Sequence, residues 1–161
     1  MTSPITPCLW FDLEAEEAAE FYTSLFPNSL ITETTRYNDA GMRPAGTVMT
    51  VAFELDGRPF IGLNGGKQFT FSEAISFQVP CDSQEEVDRY WEAFGEGGEH
   101  GPCGWVKDRF GVSWQVFPQR LIDLLRDSDA ETGERVTAAM LKMGKMDLDA
   151  LERAAAEPAR A

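Results

Sequence analysis

Ile5-Thr6-Pro7-Cys8-Leu9-Trp10-Phe11, followed by apolar residues at Ala18, Phe21, Tyr22 and Leu25, reads as a strand feeding an amphipathic helix with i, i+3, i+4, i+7 spacing. The pattern returns roughly 68 residues later. There Ala74-Ile75-Ser76-Phe77-Gln78-Val79 is the strand, and Val87, Tyr90, Trp91 and Phe94 repeat the helical spacing. Two copies of one strand–helix unit imply a tandem domain, because each half alone leaves a sheet face and a helix stripe uncovered.

Working outward, Pro27-Asn28 stops the first helix. Strands are then expected at about Leu30 to Asn38, Gly46 to Leu55 and Arg58 to Asn64, the last two joined by Asp56-Gly57, a strong hairpin signal. The first half, residues 5–65, is therefore βαβββ. Gly65 to Glu73 links it to the second half, whose helix opens on the capping-box pattern Ser83-Gln84-Glu85-Glu86 and closes at Gly95 to Gly98. Strands near Glu99 to Cys103, Trp105 to Asp108 and Val112 to Phe117 complete a second βαβββ unit over residues 74–118.

The expected fold class is α+β: two tandem βαβββ modules in a curled mixed sheet with an open cup over residues 1–118, and a helical extension over 119–161. In the extension, Leu121, Ile122, Leu124 and Leu125 form one apolar cluster, and Val136, Met140 and Met143 another. Ser128-Asp129-Ala130-Glu131 is a second capping-box pattern, Asp147 is placed to cap a last short helix, and the stretch from Ala154 to Ala161 is expected to fray. The methionine face at Met140, Met143 and Met146 fits core packing or a dimer contact.

With 161 residues and 43% hydrophobic content, the chain supports one well-packed domain. No apolar run approaches the roughly 20 residues needed to cross a membrane, and Met1 to Pro4 carries no secretory signal, so a cytoplasmic protein without a membrane partner is expected. A net charge of −13, from 27 acidic and 14 basic residues, repels a phosphate backbone and argues against nucleic acid. Solvated helix faces explain most of the acids, while steering of a cationic ligand is the alternative. Cys8, Cys81 and Cys103 match neither a disulfide framework nor a zinc motif.

These elements, with Ile5-Thr6-Pro7-Cys8-Leu9-Trp10-Phe11-Asp12, Phe21-Tyr22-x-x-Leu25-Phe26, Leu63-Asn64-Gly65-Gly66, Ala74-Ile75-Ser76-Phe77 and the run from Cys103 to Gln115 (Cys103-Gly104-Trp105-Val106-Lys107-Asp108-Arg109-Phe110-Gly111-Val112-Ser113-Trp114-Gln115), resemble the PhnB-like branch of the vicinal oxygen chelate superfamily. The resemblance is expected to run over nearly the whole chain, helical tail included. It implies a ligand-holding cup, a homodimer and, in enzymes of the superfamily, a divalent metal held by His and Glu on the first and last strands of each module. Here Thr6 and Ala74 fall at the first-strand positions, Gln115 at the second last-strand position, and its counterpart near Gly62 or Asn64. None is a strong transition-metal ligand, so no cofactor is expected and a divalent metal is the alternative. Branch members often carry a ubiquinone-pathway methyltransferase label, yet no Gly-rich turn joins a parallel strand to a helix here.

Alternation turns Leu9, Phe11, Phe77 and Val79 toward the helices and Cys8, Trp10, Ser76 and Gln78 toward the cup; the last strand adds Ser113, Gln115 and Phe117 there. With Asn64, these eight form the candidate ligand site, an aromatic and amide lining suited to a planar or amphipathic small molecule. The competing reading is that the amides bond one another. Trp105, Lys107 and Asp108 are placed near the rim, and His100, the only histidine, reads as an exposed loop side chain. A small-molecule-binding protein is the leading reading; a superfamily enzyme of lyase, transferase or dioxygenase type with an atypical site, and a structural or regulatory dimer, are the alternatives.

Overall fold

A computed structural model describes residues 5–156 in two compact units that divide between residues 71 and 72. In the first, β1 (Cys8–Phe11), α1 (Ala15–Leu25), β2 (Leu30–Arg36), β3 (Val48–Leu55) and β4 (Arg58–Asn64) follow in the expected order. They make one mixed sheet, β1-β4-β3-β2, in which only the β1–β4 pair is parallel. The hairpin between β3 and β4 turns through Asp56 and Gly57, both at positive φ (46° and 71°), as a tight two-residue loop requires.

Helix α1 covers one sheet face with Ala15, Ala18, Ala19 and Tyr22 against Leu9, Phe11, Val51 and Phe53, all buried. This stripe is offset from the one read in the sequence: Phe21 and Leu25 are only half-buried, because small alanines let the helix lie close to the strands. One close approach is at Gly62, where a Cβ would come to 3.1 Å from that of Ala15.

The second unit repeats the plan with β5 (Phe77–Cys81), α2 (Gln84–Gly95), β6 (Glu99–His100), β7 (Trp105–Lys107) and β8 (Ser113–Pro118), in sheet order β5-β8-β7-β6. Its strand β5 begins at Phe77, not Ala74. Residues 73–75 form a turn instead, closed by the Ile75 N–H on the Ser72 carbonyl at 3.4 Å. The strand continues through Pro80, which an edge strand tolerates because its missing N–H leaves no ladder bond unmade. Strand β6 is cut to two residues by the Pro102-Cys103-Gly104 corner, with Cys103 at φ 54° and Gly104 at φ 77°. At Gly104 a Cβ would collide with the Val116 carbonyl.

Ser83 Oγ caps α2 by accepting the Glu86 N–H at 3.2 Å, and Glu86 accepts the N–H of Asp82. The expected capping box thus closes one residue early on its return side. Val87, Tyr90, Trp91 and Phe94 bury themselves on the sheet, with Phe94 stacked on Trp114 at 4.4 Å. Burying one such aromatic is worth about 3 to 5 kcal/mol against its removal.

Beyond β8, α3 (Gln119–Asp127), α4 (Ala130–Met140) and α5 (Leu148–Ala156) belong to this same unit. Leu121 and Leu124 are buried, whereas Ile122 and Leu125 face outward. Asp129, not Ser128, caps α4 by accepting the Thr132 N–H at 2.8 Å, and Asp147 caps α5 through the Ala150 N–H as expected. Met143 and Met146 lie past the end of α4, so the methionines do not form one helical face; Met146 is buried, and the Met143 and Gly144 carbonyls accept the Cys103 and Gly104 N–H groups. Ala154 to Ala156 are helical and Arg135 donates to the Ala154 carbonyl at 3.1 Å; the rest of the expected frayed end, 157–161, lies outside the described residues.

Candidate functional site

A half-covered sheet keeps one face on its helix and offers the other, and both units follow this rule. In the first, register places Trp10, Leu63, Thr50 and Thr35 in one row and Cys8, Ile61, Ala52 and Glu33 in the next, all on the face away from α1. Leu9 and Phe11 are buried while Cys8 is exposed and Trp10 half-buried, as alternation requires. Crowding by neighbouring atoms raises the Cys8 thiol pKa, which keeps it protonated and poorly nucleophilic.

Trp10 is gripped by the linker. Its Nε1 donates to the Gly66 carbonyl at 2.7 Å, Phe69 meets the indole edge-on at 5.0 Å, and at Gly65 a Cβ would collide with the indole ring.

Asn64 stands on the opposite face from the one expected. It is buried at 2% exposure, accepts the Ala15 N–H at 2.9 Å and donates to the Val48 carbonyl at 3.2 Å, so its amide caps α1 from the end of β4. Helix α1 has no side-chain cap of its own, and β4 supplies one from 49 residues away.

In the second unit, Gln78, Gln115 and Trp105 share a row on the face away from α2, and Ser113, Lys107 and Glu99 share the next. Gln115 donates to Ser76 Oγ at 2.8 Å, so these two candidate residues bond each other. Gln78 is exposed, and Phe117 is buried opposite Pro80.

Ser113 is 2% exposed, and its Oγ is the one buried side-chain polar atom without a hydrogen-bond partner among the described residues. It lines an open cleft of about 440 Å³ together with Trp105, Lys107, Glu73, Glu99 and Pro102. Lys107 contacts Glu73 and reaches Glu99 at 3.6 Å. Its hydrogen bond holds the Glu73 carboxyl below the usual carboxylate range, and the same bond holds the Lys107 ammonium above its own. Of the eight residues selected from sequence, only Ser113 lines this cleft. Glu73 and Glu99 were missed; the signal for Glu99 is its cross-strand position opposite Lys107, whereas Glu73 sits in a turn read as the approach to a strand.

Asp108, placed near the rim by sequence, is buried in its own turn and accepts from the Phe110 and Val112 N–H groups and from Trp114 Nε1. His100 lies in β6, not in a loop. Its ring stacks on Trp91 at 4.5 Å, with Nε2 3.1 Å from the Trp91 carbonyl, and is therefore committed to α2. Cys81 is buried, and desolvation pushes its thiol up to about 12.

The donor set does not suit a catalytic transition metal at the superfamily's positions. Gly62 and Ala74 have no donor, Thr6 offers only a neutral hydroxyl, Asn64 is spent on a helix cap, and Gln115, whose Nε2 donates to Ser76, offers only a neutral amide oxygen. Among the described residues no three His, Cys, Asp or Glu side chains come together to hold a metal.

Two βαβββ modules, each a mixed four-stranded sheet with a helix on one face, define the glyoxalase-like tandem-module fold. The chain belongs to the PhnB-like family of the vicinal oxygen chelate superfamily, for residues 3–117 match the family described as 3-demethylubiquinone-9 3-methyltransferase. It is similar, at 36% identity and a TM-score of 0.63, to a Bacillus cereus protein described as a putative 3-demethylubiquinone-9 3-methyltransferase, PhnB protein, over 70% of this chain and 97% of that one. A Pseudomonas aeruginosa protein of known structure, 21% identical over 70% of this chain and 95% of that one, shares the fold at a TM-score of 0.58. No curated protein matches. The family match ends at residue 117, short of α3 to α5, into which the sequence reading had carried the resemblance.

Proposed function

We propose that this chain is a small-molecule-binding member of its family, taking its ligand against the face of the second sheet formed by Trp105 and Ser113 and needing no transition metal there. The observation that carries the reading is the Ser113 hydroxyl, buried without a partner beside a cleft with an indole wall. A buried unsatisfied hydroxyl costs about 1 to 3 kcal/mol, a deficit that a hydrogen-bonding group would remove if it displaced the atoms covering Ser113 Oγ from the cleft side. Function as a homodimer in the cytoplasm is part of this proposal, the former checked by sedimentation at twice the chain mass.

The test combines metal analysis of protein purified without chelator with a thermal-shift screen of aromatic small molecules on wild type and W105A. Expected are no stoichiometric transition metal and ligand-dependent stabilisation that W105A abolishes. Stoichiometric metal, or stabilisation indifferent to W105A, would refute it.

The family description favours a second reading, methyl transfer. The two strand-to-helix turns, Asp12-Leu13-Glu14 and Asp82-Ser83, contain no glycine to admit a nucleotide-like methyl donor closely. Titration with S-adenosylmethionine is therefore expected to give no binding, and saturable binding would favour the transferase.

A further inference from the structure

Three properties of the cleft narrow the chemistry of its occupant beyond "small molecule". First, its charge is lopsided. Lys107 is the ammonium at the cleft, and it is already held by Glu73 and Glu99, which are 61% and 78% exposed and keep free lone pairs. An arriving anion would find at most the one donor that Lys107 has to spare and would sit beside both carboxylates. An arriving cation adds a second donor to carboxylates that have acceptor sites to spare. The chain's net charge of −13 draws cations toward the protein and repels anions. Second, Trp105 is half-buried, offering an apolar wall suited to a flat ring. Third, the Ser113 hydroxyl, in a residue paired in register with Lys107, lacks a partner among the described residues. A ring bearing an N–H, O–H or carbonyl would supply one.

We infer that the cleft selects a cationic aromatic amine: the ring against Trp105, a polar ring atom to Ser113 Oγ, and the ammonium to Glu73 and Glu99. The inference rests on the binding reading above and adds the charge and shape of the ligand. Lys107 acts as a counter-charge that keeps two carboxylates together at the mouth when no amine is bound.

The test is isothermal titration of the full chain with three indoles that differ in charge: tryptamine, 3-ethylindole and indole-3-propionate. Tryptamine is expected to bind at least about tenfold more tightly than indole-3-propionate, with a preference that shrinks as salt rises. The E73Q/E99Q variant, altered only at exposed positions, should bind tryptamine no better than 3-ethylindole. S113A should weaken all three probes, and W105A should weaken them further. Equal binding of the three, or tighter binding of the anion, with W105A still weakening them, would overturn the charge selection while leaving the cleft as the binding site. Binding by none of them, or binding unaffected by W105A, would overturn both.

Discussion

Asn64 gives the sharpest separation between a structural and a ligand-binding role. Its amide accepts the Ala15 N–H at 2.9 Å and donates to the Val48 carbonyl at 3.2 Å, at a position 2% exposed. In N64A the α1 N-terminus loses its only side-chain cap, worth about 0.5 to 2 kcal/mol. The Val48 carbonyl also loses a donor, worth about 0.5 to 1.5 kcal/mol net. The expected cost is about 2 kcal/mol, measured by urea unfolding. Trp10, the one tryptophan of the first unit, would serve as a local probe in a variant with the others replaced. Because the loss is local, exchange of the Ala15 amide should accelerate roughly thirtyfold where opening is sub-global, by the conversion of about 1.4 kcal/mol per tenfold. N64D restores the acceptor and places a negative charge at a helix N-terminus, so it should recover most of the Ala15 protection near neutral pH but not the bond to Val48. Unchanged Ala15 exchange in N64A, or loss of ligand response at wild-type stability, would refute the capping assignment and return Asn64 to the ligand site.

Two further substitutions test the second unit. D108N keeps an acceptor for the Phe110 and Val112 N–H groups but turns an NH₂ toward Trp114 Nε1, so a buried indole donor loses its partner; a cost of about 2 kcal/mol and a shifted Trp114 indole proton resonance are expected. Asp129 is held below the usual carboxylate range mainly by the Thr132 N–H, so its capping contribution is full above the unfolded-chain value and disappears as pH falls through the lower folded value. D129A should therefore speed exchange of the Thr132 amide severalfold near pH 7, and the difference from wild type should shrink as pH falls below the ordinary aspartate range; a difference that persists in full in acid would mean the cap does not depend on the charge.

The parts of the molecule legible in the sequence are those set by local periods. The Leu9 and Phe11 alternation, the Asp56-Gly57 hairpin and the Ser83 cap depend on residues within a few positions of each other, and all appear as read. The start of β5 was misjudged because Ala74-Ile75-Ser76 alternates like a strand, yet a turn at residues 73–75 brings Glu73 to Lys107 instead. Asn64 was misplaced for a different reason. Its destination is decided by a helix end 49 residues earlier in the chain, which no local pattern reports. The partnerless Ser113 is likewise a property of packing: its residue type and strand position were visible, but its lack of a partner was not.

The two modules solve one problem differently, and they also differ in what their outward faces carry. Each must satisfy the N-terminus of the helix that follows its first strand. In the first module the last strand does so: Phe11 at the end of β1 lies opposite Asn64, whose amide turns to α1. In the second, Ser83 caps α2 from within its own turn, and the position opposite Cys81 at the end of β5 is Pro118, which has no polar side chain and begins the approach to α3. The end of β8 is therefore free of the capping duty that β4 carries. In the first unit the outward face is further occupied where the linker grips Trp10 through Gly66 and Phe69. In the second, β7 and β8 leave Trp105 and Ser113 beside an open cleft. A sequence that repeats its architecture has thus divided it, with one copy's polar end committed to holding the fold and the other copy's outward face bordering an open cleft.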